Sequence, residues 1–387
     1  MELFFVAQDD ALEPAPSPSD GSKYTCSASS SDIRPPRRGI PADSLRVPPV
    51  DIGDPSRIQL YMQSAANIDA RINSGRADVE SRLSALIQQA IEDGHGEVAS
   101  LAGKVLLAGG KRIRPLLILL AFEVAGGVDK EQVMPLALAF ELIHTATLVH
   151  DDINDKADNR RGIPTIHEIA GYEKALISGD WLFVQGFGLG GKYEDPIVRI
   201  VADYCAKIAS SELKQLSHIN DLSTTPEDYY SIVKGKTAGP FAAGCEVAGI
   251  VAGATENEIA NLREFGMELG LAFQIVDDLL DILGDERMGK PRGADVIEGK
   301  MTLPLIHALT LLHGQSRTRL AEVIVDFNDD LWDELVDLLN EAGSLDYART
   351  LVRNHLDRAL ELLLQFPDGE ARGCIESITQ IVMDRHV

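Results

Sequence analysis

Two clusters of aspartates stand out in this 387-residue sequence, each inside an otherwise apolar segment. The first reads His144-Thr-Ala-Thr-Leu-Val-His150-Asp151-Asp152-Ile-Asn-Asp155. The second, 126 residues further on, reads Phe273-Gln274-Ile-Val-Asp277-Asp278-Leu-Leu-Asp281. On a helix, Asp155 falls one turn beyond Asp151 on the same face, and Asp281 repeats that relation to Asp277. His144 lies two turns before Asp151, about 20° off its face. Stacked carboxylates repel, and on an apolar helix they are costly unless paired or metal-bound. Carboxylate pairs that keep water and meet a substrate diphosphate suit Mg²⁺. One DDxxD motif alone is often a solvated charge run. Two, on separate apolar helices, point to clusters that face each other across a cavity and grip metal ions with one diphosphate.

Cations accompany both clusters. Gly109-Gly110-Lys111-Arg112-Ile113-Arg114-Pro115 places three of them near a helix start, where free backbone N–H groups also favour an anion. Arg160-Arg161 follows the first cluster by one loop. Gly289-Lys290-Pro-Arg-Gly-Ala-Asp295 and Gly299-Lys300 follow the second, and Lys236-Thr237 adds a cation beside a hydroxyl. Singly, each reads first as surface charge. Together they supply donors for two diphosphate groups.

The elements that must carry these residues are helices. Apolar residues recur at three- and four-residue spacing in 133–149 and 259–283, and aromatics make up only 5 % of the chain. Gly, Pro or Asp mark breaks at 93–97, 126–128, 224–226, 284–293 and 366–369. No fixed-period repeat appears, so the expectation is all-α, a single large helical bundle over residues 56–387. Residues 1–55, rich in Pro and Ser, read as a disordered tail. The net charge of −24 argues against nucleic acid as a partner, and most of it reads as solvated surface. Cys26, Cys205, Cys245 and Cys374 lack metal-like spacing and read as reduced, packed thiols of a cytosolic protein. No apolar run reaches the roughly 18 residues of a membrane span, and the first ten residues lack the basic start of a secretory signal.

In its motifs the chain resembles the trans-isoprenyl diphosphate synthases, of the polyprenyl and geranylgeranyl diphosphate synthase type. The resemblance runs from about Glu97 to His307. It rests on GGKRIRP, the first aspartate cluster with Arg160-Arg161-Gly162, Lys236-Thr237, and the second cluster with its trailing Gly-Lys pairs, in that order. It implies an all-α bundle around a deep central cavity, a cytoplasmic homodimer and Mg²⁺ as cofactor. The implied reaction is head-to-tail (1'-4) condensation of isopentenyl diphosphate with an allylic diphosphate. By resemblance, Lys111, Arg114, His144 and Arg161 hold isopentenyl diphosphate. Asp151, Asp155 and Asp277 are the principal Mg²⁺ ligands, assisted by Asp152, Asp278 and Asp281. Arg160, Lys236, Thr237, Gln274, Lys290 and Lys300 hold the allylic diphosphate, with Lys236 counted among the catalytic residues. Asn154 and Lys156 depart from the usual pattern, but not at ligand positions.

The family's product length is set near the residues four and five positions before the first aspartate. Here those are Thr147 and Ala146, both small, and the next candidate floor on that face is Phe140. The expected product is therefore longer than C20, C30 to C40, with a C20 geranylgeranyl diphosphate synthase as the alternative. Peripheral membrane contact for product release is left open. A terpene cyclase or head-to-head synthase would lack the GGKRIRP site. A non-catalytic partner subunit would have lost charged residues that all stand here.

Overall fold

The computed structural model describes the backbone of residues 55–284 and 293–383, with side chains from residue 66. The expected tail over 1–55 and Lys290 fall outside the described residues, apart from Pro55, which starts the first helix. That helix, α1 (Pro55–Ala90), leads into α2 (Gly96–Leu106) and α3 (Ile113–Val124). Then come α4 (Met134–Asn154), α5 (Ile166–Ala170), α6 (Tyr172–Gly190) and α7 (Asp195–Ser217). Helix α8 (Pro226–Val233) passes through a π turn (Lys234–Ala238) into α9 (Gly239–Val251), ahead of α10 (Glu256–Leu283) and α11 (Ala294–Ile297). Helices α12 (Leu303–Leu311), α13 (Gly314–Val325), α14 (Trp332–Glu341), α15 (Ser344–Leu363) and α16 (Glu370–Met383) complete the chain. The fold is all-α, as the periodicity requires.

Local chemistry starts two of these helices. Thr225 and Thr255 form capping boxes with Asp228 and Glu258, satisfying orphan N–H groups at the heads of α8 and α10. Helix α4 is buried on every side from Leu136 to Ile143, which makes it a central helix rather than a surface one. It packs along α6, while α3 and α10 pack on α9, and α15 covers α10. Two glycines let α10 lie tightly on the π turn and α9. A Cβ on Gly266 would sit 2.5 Å from the Phe241 carbonyl oxygen, and one on Gly270 would sit 2.5 Å from the Ala238 Cα.

Among the described residues the only strands are two residues each, Asn159–Arg160 paired antiparallel with Ile163–Pro164. Arg161 and Gly162 make the two-residue turn between them, both at positive φ (52° and 77°). Two positive φ values suit the twist of a tight hairpin. The Arg-Arg-Gly sequence thus aims its two arginines from a fixed turn just beyond the first aspartate cluster.

Candidate active site

The π turn is where the two clusters meet. Pro240 has no N–H, and in a regular helix its ring would strike the carbonyl of Lys236 four residues back. The wider turn relieves that conflict, with the Gly239 N–H bonding the Lys234 carbonyl five residues back. Gly235 makes the turn fit against α7, because a Cβ there would sit 1.9 Å from Ser211 Oγ. The consequence is functional. Lys236 Nζ lies 3.6 Å from Asp151 Oδ1, while Thr237 Oγ1 donates to Gln274 Oε1 at 2.7 Å. Consecutive residues on one widened turn reach the first and second clusters.

In the first cluster, Asp151 is pushed above the usual carboxylate range by burial, opposed by Lys236. Lys236 is itself held by Glu212 at 2.6 Å and Gln215 at 2.9 Å. Asp152 is buried, and one of its oxygens accepts from Arg160 Nε. Its other oxygen has no hydrogen-bond partner among the described residues. Asp155 ends α4, where it pairs with Lys300 Nζ at 3.1 Å. Lys300 also meets Glu298 at 2.5 Å and Asp295 at 3.7 Å, so it ties the first cluster to the segment after the second. Those three carboxylates hold its ammonium charged against the cost of burial.

In the second cluster, Asp278 is buried and accepts from Tyr229 Oη at 2.6 Å and Gln274 Nε2 at 2.9 Å. Burial, then the nearby Asp295 carboxylate, pushes its pKa up to about 7. The Asp281 carboxylate accepts from the Asp295 backbone N–H at 3.1 Å, and Asp277 stands half-buried one turn before it. Beside the second cluster lies a cavity of about 150 Å³ whose walls include Tyr229, Lys236, Thr237, Gln274, Asp278, Asp295 and Lys300.

A third group of charges lies further down α4. Arg114 Nη1 donates to His144 Nε2 at 3.1 Å, and its guanidinium lies 4.6 Å over the Phe241 ring. Burial first, then the Arg114 and Arg161 charges, hold His144 well below its usual pKa, so it is neutral. Arg161 donates to the Gly109 carbonyl, which joins the hairpin to the Gly-Gly loop. Burial and neighbouring cations also lower Arg161, so this group of charges gains from an added anion. Lys111 is exposed beside them.

The polyprenyl synthetase sequence pattern matches residues 96–339. A short chain isoprenyl diphosphate synthase of Methanothermobacter thermautotrophicus is 36% identical over 306 residues, 77% of this chain and 94% of that protein. An octaprenyl diphosphate synthase of Escherichia coli is 32% identical over 81% of this chain and 98% of its own length. This chain belongs to the polyprenyl synthetase family. It is a trans-prenyltransferase. Among solved structures, a polyprenyl synthase from Caulobacter crescentus CB15, complexed with calcium and isoprenyl diphosphate, superposes with a TM-score of 0.76. That structure is 32% identical and covers 83% of this chain and 98% of the other.

Several expectations for this prenyltransferase change on contact with the structure. The three cations of GGKRIRP do not act together. Arg112 is buried and spent on Glu80 at 2.7 Å and Glu141 at 2.5 Å, so it serves the fold rather than a ligand. Arg160 pairs with Asp152 rather than reaching into the cavity alone. Ala146 is 0% exposed and touches no space that water can enter, so it does not line an open groove, while Thr147 is half-buried. Phe140 is also fully buried, stacked on Tyr204 of α7 at 4.7 Å. Among the described residues, no three His, Cys, Asp or Glu side chains converge as a cage for a metal ion. Sequence reasoning missed Glu212, Gln215, Tyr229 and Glu298, the side chains that hold the lysines and Asp278 in place.

Proposed function

We propose that this enzyme elongates an allylic diphosphate with isopentenyl diphosphate, using Mg²⁺ held by Asp151, Asp155 and Asp277. The observation that carries the reading is the π turn, whose Lys236 and Thr237 reach one aspartate cluster each. The donors fit the ion. Asp151 is disfavoured as an anion by its burial, and Asp152 keeps one buried oxygen without a partner. A dication at Asp151 would favour its charged form. Asp152, Asp278 and Asp281 assist. When bound, Mg²⁺ offsets negative charge on the diphosphate as it departs.

The chain's own groups do the rest. Lys236, Thr237, Gln274 and Lys300 line the cavity and hold the allylic diphosphate, a role that Arg160 and Lys290 share by motif. Lys111, Arg114, His144 and Arg161 fix isopentenyl diphosphate two turns down α4. His144, being neutral, accepts from Arg114 and orients its guanidinium without adding repulsion. As the allylic C–O bond breaks, these cations stabilise the charge gathering on the diphosphate. The isopentenyl double bond, held at the cation, forms the new C–C bond, and a proton then passes to the released diphosphate. The buried walls keep water from quenching the cation.

The product is longer than C20, C30 to C40, which the small, half-buried Thr147 supports. The enzyme works as a homodimer in the cytoplasm. Tyr172, Leu176, Ile177 and Val184 of α6 are 50–64% exposed, an apolar surface suited to a second copy. Replacing Asp151 or Asp277 with Ala tests the metal assignment: turnover should vanish with the fold intact. Near-normal turnover in either variant would overturn it.

A further inference from the structure

Lys300 works between the two clusters, pairing with Asp155 at 3.1 Å while lining the cavity. Its direction is set by the turn that closes α11. Gly299 has φ 73° there, its N–H bonds the Val296 carbonyl at 3.0 Å, and the Lys300 N–H bonds the Asp295 carbonyl at 2.8 Å. This pair of bonds is a Schellman motif, and Lys300 is the residue just past its left-handed glycine. At its head, α11 is tied to α10. The Gly293 N–H bonds the Asp281 carbonyl at 2.9 Å, and the Asp295 N–H bonds the Asp281 carboxylate at 3.1 Å.

The tail of α11 is held from elsewhere. Asn220, in the loop between α7 and α8, donates its backbone N–H to the Gly299 carbonyl at 2.8 Å. Its own backbone is left-handed, φ 53°, a conformation that asparagine tolerates better than most residues. Its side-chain amide takes the space beside Gly299 that a Cβ would need. A Cβ there would sit 2.4 Å from Asn220 Oδ1 and 2.7 Å from its Cγ. Gly299 is thus buried under a residue that is itself exposed. From the same loop, His218 and Thr224 line the cavity together with Lys300. Asn220 is the joint between that loop and the turn.

We propose that Asn220 is a positioning residue for prenyl transfer, seating the Gly299 turn so that Lys300 stays aimed at the diphosphate beside Asp155. The proposal rests on the reading that Lys300 holds the allylic diphosphate. Asn220 acts through Lys300.

Asn220→Gly keeps the left-handed backbone and its N–H but removes the side chain that covers Gly299. The melting temperature should change little, since relief of the left-handed strain offsets the freer unfolded chain. The KM for the allylic diphosphate should rise about fivefold, part of what a charge-assisted contact supplies. The Kd for inorganic diphosphate, by titration calorimetry at fixed Mg²⁺, should rise with it. The KM for isopentenyl diphosphate should not move, because its cations lie on other elements. A double-mutant cycle with Lys300→Ala decides the route. Lys300→Ala should itself raise the allylic KM about ten- to a hundredfold, and Asn220→Gly should add nothing in that background. Additive effects, an unchanged allylic KM in Asn220→Gly, or equal rises in both KM values overturn the proposal. So does an Asn220→Gly variant that fails to fold, because the side chain would then be holding the bundle. If Lys300→Ala keeps full allylic affinity, the reading of Lys300 itself is wrong, and the role of Asn220 falls with it.

Discussion

Residue type announced the chemistry here, but pairing decided which residue performs it. Lys111, Arg112 and Arg114 look alike in the sequence, and only the fold separates them. Arg112 spans Glu80 and Glu141, 32 and 29 residues away in sequence, contacts no local pattern encodes. Arg112→Ala should therefore cost stability, about 3–5 kcal/mol, because Glu141 is left buried and unpaired. Lys111→Ala or Arg114→Ala should instead raise the KM for isopentenyl diphosphate about ten- to a hundredfold. Steady-state kinetics and melts on the three variants check this; a rise in the allylic KM would mean the two diphosphate sites are exchanged. Asp278 gives a pH test. Its pKa, raised to about 7 from an ordinary 3.8, means the native state holds this proton more tightly than the unfolded chain. Its contribution is fully present below pH 4 and is lost as pH rises to 7. Asp278→Asn should thus raise the ligand-free melting temperature at pH 8 and leave it unchanged at pH 4. Equal shifts at both would contradict the assignment.

At the scale of elements, the helices were legible because their apolar period and their breaks are local. Thr225-x-x-Asp228 and Thr255-x-x-Glu258 are capping boxes in sequence and in structure. The breaks at 126–128 and 366–369 fall between helices, and that at 224–226 runs into the first residue of α8. The π turn was not legible. Lys-Gly-Lys-Thr-Ala-Gly-Pro reads as a loop or a broken helix, and its width follows from Pro240 meeting tight packing on α7 and α10. Gly235→Ala should push the turn off α7 and lower both melting temperature and turnover. Ser211→Ala, which removes the atom 1.9 Å from the new Cβ, should restore part of each. No recovery in the double variant would mean the turn is set elsewhere. The wall beside α4 was only half legible, since helical spacing gives the angle of Ala146 but not what packs on it. Because Ala146 is enclosed, Ala146→Phe should overpack the core and destabilise. Thr147→Phe should shorten the product while keeping catalysis, read by chromatography of the extracted prenyl chains; unchanged length would remove Thr147 from the wall.

Over the whole molecule, contacts between distant segments join the motifs: Arg161 to Gly109, Arg114 to His144, Lys236 to Asp151, Thr237 to Gln274 and Lys300 to Asp155. The order of motifs identifies the family, and the geometry explains why each is where it is: cations from turns, carboxylates from helices, and lysines between them. What neither spacing nor composition could supply was the set of partners, Glu212, Gln215, Tyr229 and Glu298, that keeps those groups aimed. The central claim is that this one cavity joins two diphosphate substrates. Purified protein incubated with Mg²⁺, labelled isopentenyl diphosphate and farnesyl diphosphate tests it directly. The account predicts label in an all-trans prenyl diphosphate longer than C20, one inorganic diphosphate released per unit added, and neither when Mg²⁺ is chelated. Absence of chain extension by folded protein with both substrates and Mg²⁺ present would contradict it.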